Sequence, residues 1–98
     1  MIQHVTLYTL KNVDQLSFVK EQLEKIKECP LIVENKVVVN YLKDLPPVEH
    51  PLFAHIAHFA TFENEANAQA FPACPEHLAL VKATDAYIKE IMTMDYVD

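Results

Sequence analysis

The pattern of hydrophobic and polar residues predicts a β-strand in four parts of the chain. These parts are residues 2–10, 32–42, 52–62 and 91–97. In the first of them, Val5 and Leu7 share one face of the strand. The opposite face carries His4, Thr6, Tyr8 and Leu10. Three prolines within residues 43–51 exclude a paired strand there, so this stretch is predicted to be a loop.

Helical spacing of hydrophobic residues occurs in two regions between the predicted strands. Residues 13–28 form one helix, with Asn12 as its N-cap and an apolar stripe of Leu16, Val19, Leu23 and Ile26. A short helix follows Asn64 and ends near Phe71 and Pro72. A longer helix begins at Pro75, a residue type favoured in the first turn. Its apolar face is expected to carry Leu80, Val81, Thr84, Tyr87 and Ile88.

The resulting order, β-α-β-β-α-β, predicts an α+β, ferredoxin-like fold with an antiparallel sheet in one domain, residues 1–98. Helices cover only one face of such a sheet, and the other face is polar where it meets water. The third strand is apolar on both faces, since Phe59 and Ala57 lie on one and Ile56 and Ala60 on the other. A second copy of the chain is the simplest cover for the helix-free face, so we expect a homodimer. The pattern leaves open which of the two strand faces meets the partner.

Composition excludes several classes of function. The chain has no glycine and no arginine, which excludes the dinucleotide-binding GxGxxG turn, the P-loop and an arginine clamp on phosphate. A net charge of −6 disfavours nucleic acid and anionic membranes as partners. No stretch approaches the ~18 apolar residues of a spanning helix, and the chain opens without a signal peptide. Cys29 and Cys74 do not resemble a disulfide framework, so we expect a cytoplasmic protein with reduced thiols.

His77 is the strongest candidate for a catalytic group. It lies in the first turn of the helix that begins at Pro75, about one turn before Leu80 and Val81. Desolvation and the positive end of the helix both disfavour a charged imidazole, and a neutral imidazole facing a pocket acts as a general base. The alternative is a structural histidine that bonds a backbone carbonyl or the partner chain.

Further candidates lie on the strand faces that could turn toward the helices. If they do, His4, Tyr8, His58, Phe71 and His77 line one ligand-binding pocket; the alternative is a filled core with a few satisfied polar groups. Metal ligands are sparse, because His55 and His58 point to opposite faces of a strand. Cys74 and His77 make only two ligands against the usual four. We therefore expect no metal and no organic cofactor.

Four short motifs, in order along the whole chain, resemble the stress-responsive A/B barrel (Dabb) family of dimeric α/β barrels. They are Gln3-His4-Val5, the strand-ending Phe62, Cys74-Pro75-Glu76-His77 in place of the family's HPxH, and Asp95-Tyr96. The resemblance implies a homodimer whose two sheets close a barrel. Some similar proteins are polyketide cyclases that pair a tyrosine with the helix-opening histidine. His77 matches that histidine, but Phe71 occupies the tyrosine position and has no hydroxyl. Related monooxygenases and haem-degrading enzymes rely on tryptophan, which this chain lacks.

Three functions remain open at the level of sequence. The leading interpretation is a homodimer of the Dabb type whose apolar pocket binds a small, aromatic molecule, with a stress-associated role implied by the resemblance alone. The second is a cofactor-free cyclase, isomerase or lyase in which His77 is the general base, assisted by His4, Tyr8 or His58. The third is a structural or assembly protein with a filled core.

Overall fold

The computed structural model describes residues 1–42 and 53–98 and has the expected α+β, ferredoxin-like architecture. Its strands are β1 (Ile2–Leu10), β2 (Ile32–Val39), β3 (Ile56–Phe62) and β4 (Ile88–Val97). Its α-helices are α1 (Leu16–Glu24), α2 (Glu65–Ala70) and α3 (Pro75–Thr84). Short 3₁₀ turns precede and follow α1 and follow both α2 and α3. In the described part of the chain, no helix is long and apolar enough to cross a membrane.

Several element boundaries differ from those predicted. Strand β2 ends at Val39 rather than at residue 42, and β3 begins at Ile56 rather than at residue 52. Helix α3 ends at Thr84, so the placement of Tyr87 and Ile88 on its apolar face is wrong. Ile88 instead opens β4, because it pairs with Leu10 across the sheet. The predicted loop at residues 43–51 lies outside the described residues.

The four strands form one antiparallel sheet in the order β2-β3-β1-β4. The helices pack against one face of it, where Thr6 and Tyr8 of β1 lie beside His58 and Ile56 of β3. The core between the two layers is built from Val19, Leu23, Ile26, Ile56, Ala60 and Phe62, each at most 1% exposed. The side of β1 that carries His4 therefore faces the helices.

The opposite face of the sheet has large apolar side chains exposed to solvent. Phe59 is 37% exposed, although its neighbour Phe62 on the other face is 1% exposed. Around Phe59 lie the exposed residues Val38, Met92, Met94 and Tyr96. We call Val38, Phe59, Met92, Met94 and Tyr96 the open sheet face. This arrangement decides which strand face is available to a partner: it is the face of Phe59 and Ala57, and not that of Ile56 and His58.

A polar pair made of a buried histidine and a half-buried asparagine joins the sheet to the first helix. The amide oxygen of Asn35 lies 2.5 Å from Nε2 of His58, and the Asn35 amide nitrogen donates to the Leu23 carbonyl at 3.2 Å. His58 is 1% exposed. Burial, together with the smaller effects of the nearby His4 and His77, lowers the pKa of His58 to about 4. His58 is therefore a neutral core residue at pH 7, with Nε2 as the donor to Asn35.

We predict that this histidine makes the fold sensitive to mild acid. Its pKa in the folded state is about 4, against 6.5 for the free side chain, so the unfolded state binds the extra proton between these values. The stabilising contribution is complete above pH 6.5 and is lost as the pH falls toward 4. From pH 7 to pH 4.5 the cost is roughly 2 to 3 kcal/mol.

Urea unfolding of the wild type and of His58→Gln at the two pH values measures this effect. The variant is expected to be less stable at pH 7 but to lose about 2 kcal/mol less on acidification. Equal losses for both proteins would contradict the prediction.

Candidate functional site

His4 is held in a fixed orientation by its neighbours on β1 and β4. The antiparallel register places it opposite Asp95, and its Nδ1 lies 2.5 Å from Asp95 Oδ1. Because a carboxylate accepts hydrogen bonds, Nδ1 carries the proton. The hydroxyl of Thr6 lies 2.9 Å from Nε2 of His4. In the neutral imidazole, Nε2 is therefore an acceptor that points away from the carboxylate, which is the arrangement of an oriented general base.

Phe71 connects His4 with His77 through ring contacts. It lies in the 3₁₀ turn Phe71–Ala73 and is 3% exposed. Its ring centroid is 5.9 Å from that of His4 and 4.8 Å from that of His77, both in edge-to-face geometry. A phenyl ring neither donates nor accepts a proton, so Phe71 shapes the apolar wall of the site.

His77 has features of both roles considered for it. Its Nδ1 donates to the carbonyl of Pro72 at 3.1 Å, which is the bond expected of a structural histidine. This bond leaves Nε2 as the acceptor in the neutral imidazole, and Nε2 has no hydrogen-bond partner within residues 1–42 and 53–98. The side chain is half-buried beside Leu80, whereas Val81, expected on the same apolar face, is 45% exposed.

Two clefts open beside His4, along the side of the sheet that faces the helices. The larger has a volume of about 470 Å³, and its apolar walls come from Ile2, Ala68, Phe71 and Val97. Its polar groups come from His4, Asp95, Glu65 and Gln69. The smaller cleft, of about 210 Å³, is lined by His4, Tyr8 and His77 together with Thr6, Leu80 and Val81.

The structure divides the five candidate residues between these clefts rather than gathering them in one pocket. His4 borders both clefts, Phe71 borders the larger, and Tyr8 and His77 border the smaller. His58 borders neither cleft and is enclosed in the core. Burial raises the pKa of Tyr8 to about 12, so its phenol is a neutral donor at pH 7.

The sequence analysis gave Asp95 no role of its own. Asp95 appeared there only as half of an aspartate-tyrosine pair, because it lies 91 positions from the histidine that it orients. Pairing the first and last strands antiparallel in the correct register would have placed it opposite His4.

The two cysteines form a second group of neighbouring residues, which the sequence did not place together. The sulfur atoms of Cys29 and Cys74 lie 3.4 Å apart, both are buried, and both thiols are free. Cys74 Sγ also accepts a hydrogen bond from the backbone N–H of His77 at 3.4 Å, and so caps α3. Burial raises the pKa of Cys74 to about 11, with the neighbouring Cys29 and Glu76 acting in the same direction. The Cys74 thiol is therefore a poor nucleophile at neutral pH.

Comparison with solved structures shows the same fold in proteins of low sequence identity. A ferredoxin-like protein of unknown function from Bacteroides fragilis, described as dimeric, is 23% identical, with a TM-score of 0.76 and coverage of 99% of this chain and 95% of that one. A Dabb family protein from Mesorhizobium loti is 16% identical, with a TM-score of 0.76 and coverage of 99% and 95%. A hydroxynitrile lyase from Passiflora edulis is 18% identical, with a TM-score of 0.76 and coverage of 99% and 92%.

A search of curated protein sequences gives no match. The family model of the stress responsive A/B barrel domain, Dabb, matches residues 2–98. This match agrees with the motifs at His4, Phe62, Cys74–His77 and Asp95–Tyr96, and it covers all four strands and three α-helices. The chain therefore belongs to the stress responsive A/B barrel domain family.

Proposed function

We propose that this protein is a cytoplasmic homodimer that binds a small aromatic molecule in the larger cleft of each subunit. The observation that carries the proposal is the combination, in one cleft of about 470 Å³, of apolar walls with a single oriented histidine–carboxylate pair. Such a mixture of apolar surface and few convergent polar groups is typical of small-molecule sites. The volume also counts against the filled-core alternative. A stress-associated role is included only because of the family to which the chain belongs.

Dimerisation through the open sheet face is the first part of the proposal. Phe59, Met92 and Met94 are 37%, 52% and 61% exposed in the single chain, and they lie on β3 and β4, the two strands that flank β1. Contiguous apolar surface of this kind marks an interaction site. The similar structures from Bacteroides fragilis and Thermobifida fusca are both described as dimeric. A second sheet packed on this face would bury these side chains.

The dimer is tested by placing a charge at Phe59. We expect Phe59→Lys to be monomeric, because burying an unpaired ammonium between two sheets is costly. Phe18→Lys is the matched control, since Phe18 is 39% exposed but lies on α1, on the other side of the molecule. Light scattering at micromolar concentration should give the mass of two chains for the wild type and for the control. A monomeric wild type would contradict the prediction.

Binding in the larger cleft is the second part. The Asp95 carboxylate lines this cleft and can accept a hydrogen bond from a ligand hydroxyl, and the edge of an aromatic ligand can pack on Phe71. His4, whose Nδ1 donates to Asp95, keeps that carboxylate aligned. A neutral aromatic molecule with one hydroxyl group satisfies both requirements.

Substitutions that fill each cleft separately show which cleft binds the small molecule. We expect Ala68→Phe, in the larger cleft, to weaken binding of the probe 2-naphthol by about tenfold or more, equivalent to roughly 1.4 kcal/mol. Val81→Phe narrows the smaller cleft and should leave the affinity unchanged. Calorimetric titration with thermal melts of each variant gives the comparison. Loss of affinity in Val81→Phe alone would move the site to the smaller cleft.

Acid–base catalysis is a second candidate function, favoured by the contact between His4 and Asp95. That pair orients Nε2 of His4 as a base, while the His77 imidazole and the neutral Tyr8 phenol border the adjoining cleft. Removing the hydroxyl proton of a hydroxynitrile breaks the adjacent carbon–carbon bond to give a carbonyl compound and cyanide. The similarity to the Passiflora edulis hydroxynitrile lyase suggests this reaction as the one to assay.

The lyase function predicts that the wild type releases benzaldehyde from mandelonitrile faster than buffer does. His4→Ala should lower this rate by about a hundredfold or more, the usual contribution of a general base. His77→Ala measures the contribution originally expected of His77 as the base. A wild type no faster than buffer would contradict the lyase function, and histidine variants as fast as an active wild type would contradict the role of both histidines as the base.

A further inference from the structure

Three metal-binding side chains converge where the first helical region ends and α3 begins. Cys29 directly follows the 3₁₀ turn Lys25–Glu28, while Cys74 and Glu76 belong to the start of α3. One ligand atom from each of Cys29, Cys74 and Glu76 lies within 4.8 Å of the other two. This group, which we call the thiol–carboxylate cluster, is separate from the clefts at His4, because none of its members lines either of them.

The carboxylate of Glu76 lacks a partner that its burial requires. Its Oε1 is inaccessible to solvent and has no hydrogen bond to any residue that the structure describes. An unpaired buried carboxylate oxygen is costly, and native structures rarely keep one without a ligand or an ion. The two sulfurs lie within 4.8 Å of a carboxylate oxygen of Glu76, and they are themselves acceptors once deprotonated. A cation therefore satisfies all three groups together.

We propose that Cys29, Cys74 and Glu76 bind a thiophilic divalent cation, with Zn²⁺ as the best match. Two thiolates favour a soft or borderline metal, whereas the carboxylate disfavours Cu(I), so the mixed set suits zinc. Tetrahedral zinc with Zn–S bonds of about 2.3 Å holds two sulfurs about 3.8 Å apart. The two sulfurs now lie 3.4 Å apart, so a movement of a few tenths of an ångström reaches that geometry.

The surroundings provide access and partial charge balance for the ion. A cleft of about 260 Å³ reaches Glu76 from the surface, and Lys25 and Glu28 line its walls. Two thiolates and a carboxylate exceed the charge of the ion by one, and the ammonium of Lys25 lowers the cost of that excess. Three protein ligands leave the fourth position, facing the cleft, for water.

This proposal replaces the expectation of no metal, which considered His55 with His58 and Cys74 with His77. The sequence did not indicate Cys29 as a ligand beside Cys74, because the two residues are 45 positions apart in the chain. The binding of a small molecule beside His4 is independent of this site, so the failure of one proposal leaves the other standing.

Metal titration of the reduced full-length protein tests the proposal. After removal of metals with a chelator and counting of free thiols, Co²⁺ is added as a spectroscopic probe and then displaced by Zn²⁺. We expect one ion per chain, with the near-ultraviolet charge-transfer absorption that thiolate–cobalt bonds produce. Glu76→Gln, which preserves shape, should weaken Zn²⁺ binding by at least about tenfold, since even the loss of an outer-shell partner costs that much.

Two further variants separate ligation from local charge and from folding. Cys74→Ser keeps a side-chain cap for α3 and should abolish most of the thiolate–cobalt absorption. Glu28→Gln removes a carboxylate from the same cleft without touching the cluster, and it should change the affinity by less than about twofold. Cobalt binding without charge-transfer absorption, equal weakening by Glu28→Gln and Glu76→Gln, or no Zn²⁺ uptake by fully reduced protein would each overturn the proposal.

Discussion

The pairing of β1 with both β3 and β4 is the constraint on which the rest of the structure depends. One register places Thr6 opposite His58 and so aligns the core face of the sheet. The other places His4 opposite Asp95 at the edge of the helical layer. Because side chains alternate with a period of two, a slip of one residue between β1 and β4 would turn the carboxylate of Asp95 away from His4. Core, clefts and histidine orientation are thus set by the same backbone hydrogen bonds.

Because the helices cover only one face of the sheet, the two faces have different environments and different roles. On the covered face, side chains such as Phe62 and His58 are enclosed, and the hydrogen bond of His58 with Asn35 stabilises the sheet against α1 at neutral pH. On the open sheet face, Phe59 and Met94 remain exposed in the single chain. Burying that face against a second copy is favoured by the hydrophobic effect, and it leaves the clefts beside His4 on the helix side.

The segment from Phe71 to His77 contributes side chains to two separate sites in the molecule. Its 3₁₀ turn and the start of α3 direct Phe71 and His77 toward the clefts. The residues between them, Cys74 and Glu76, turn the other way and meet Cys29. A helix start achieves this separation because successive side chains in the first turn project about 100° apart. Substitution in this short segment therefore affects two sites that are distinct in space.

The sequence by itself determined the types of element, their order and the two apolar faces of the sheet, because hydrophobic periodicity is a local property of the chain. It also pointed to His4 and His77 through short motifs. Only the tertiary structure decided which sheet face the helices cover, that His58 is a core residue, and that Asp95 orients His4. It likewise brought Cys29 to Cys74 across 45 positions. These outcomes depend on strand register and helix packing, which join residues that no local pattern relates.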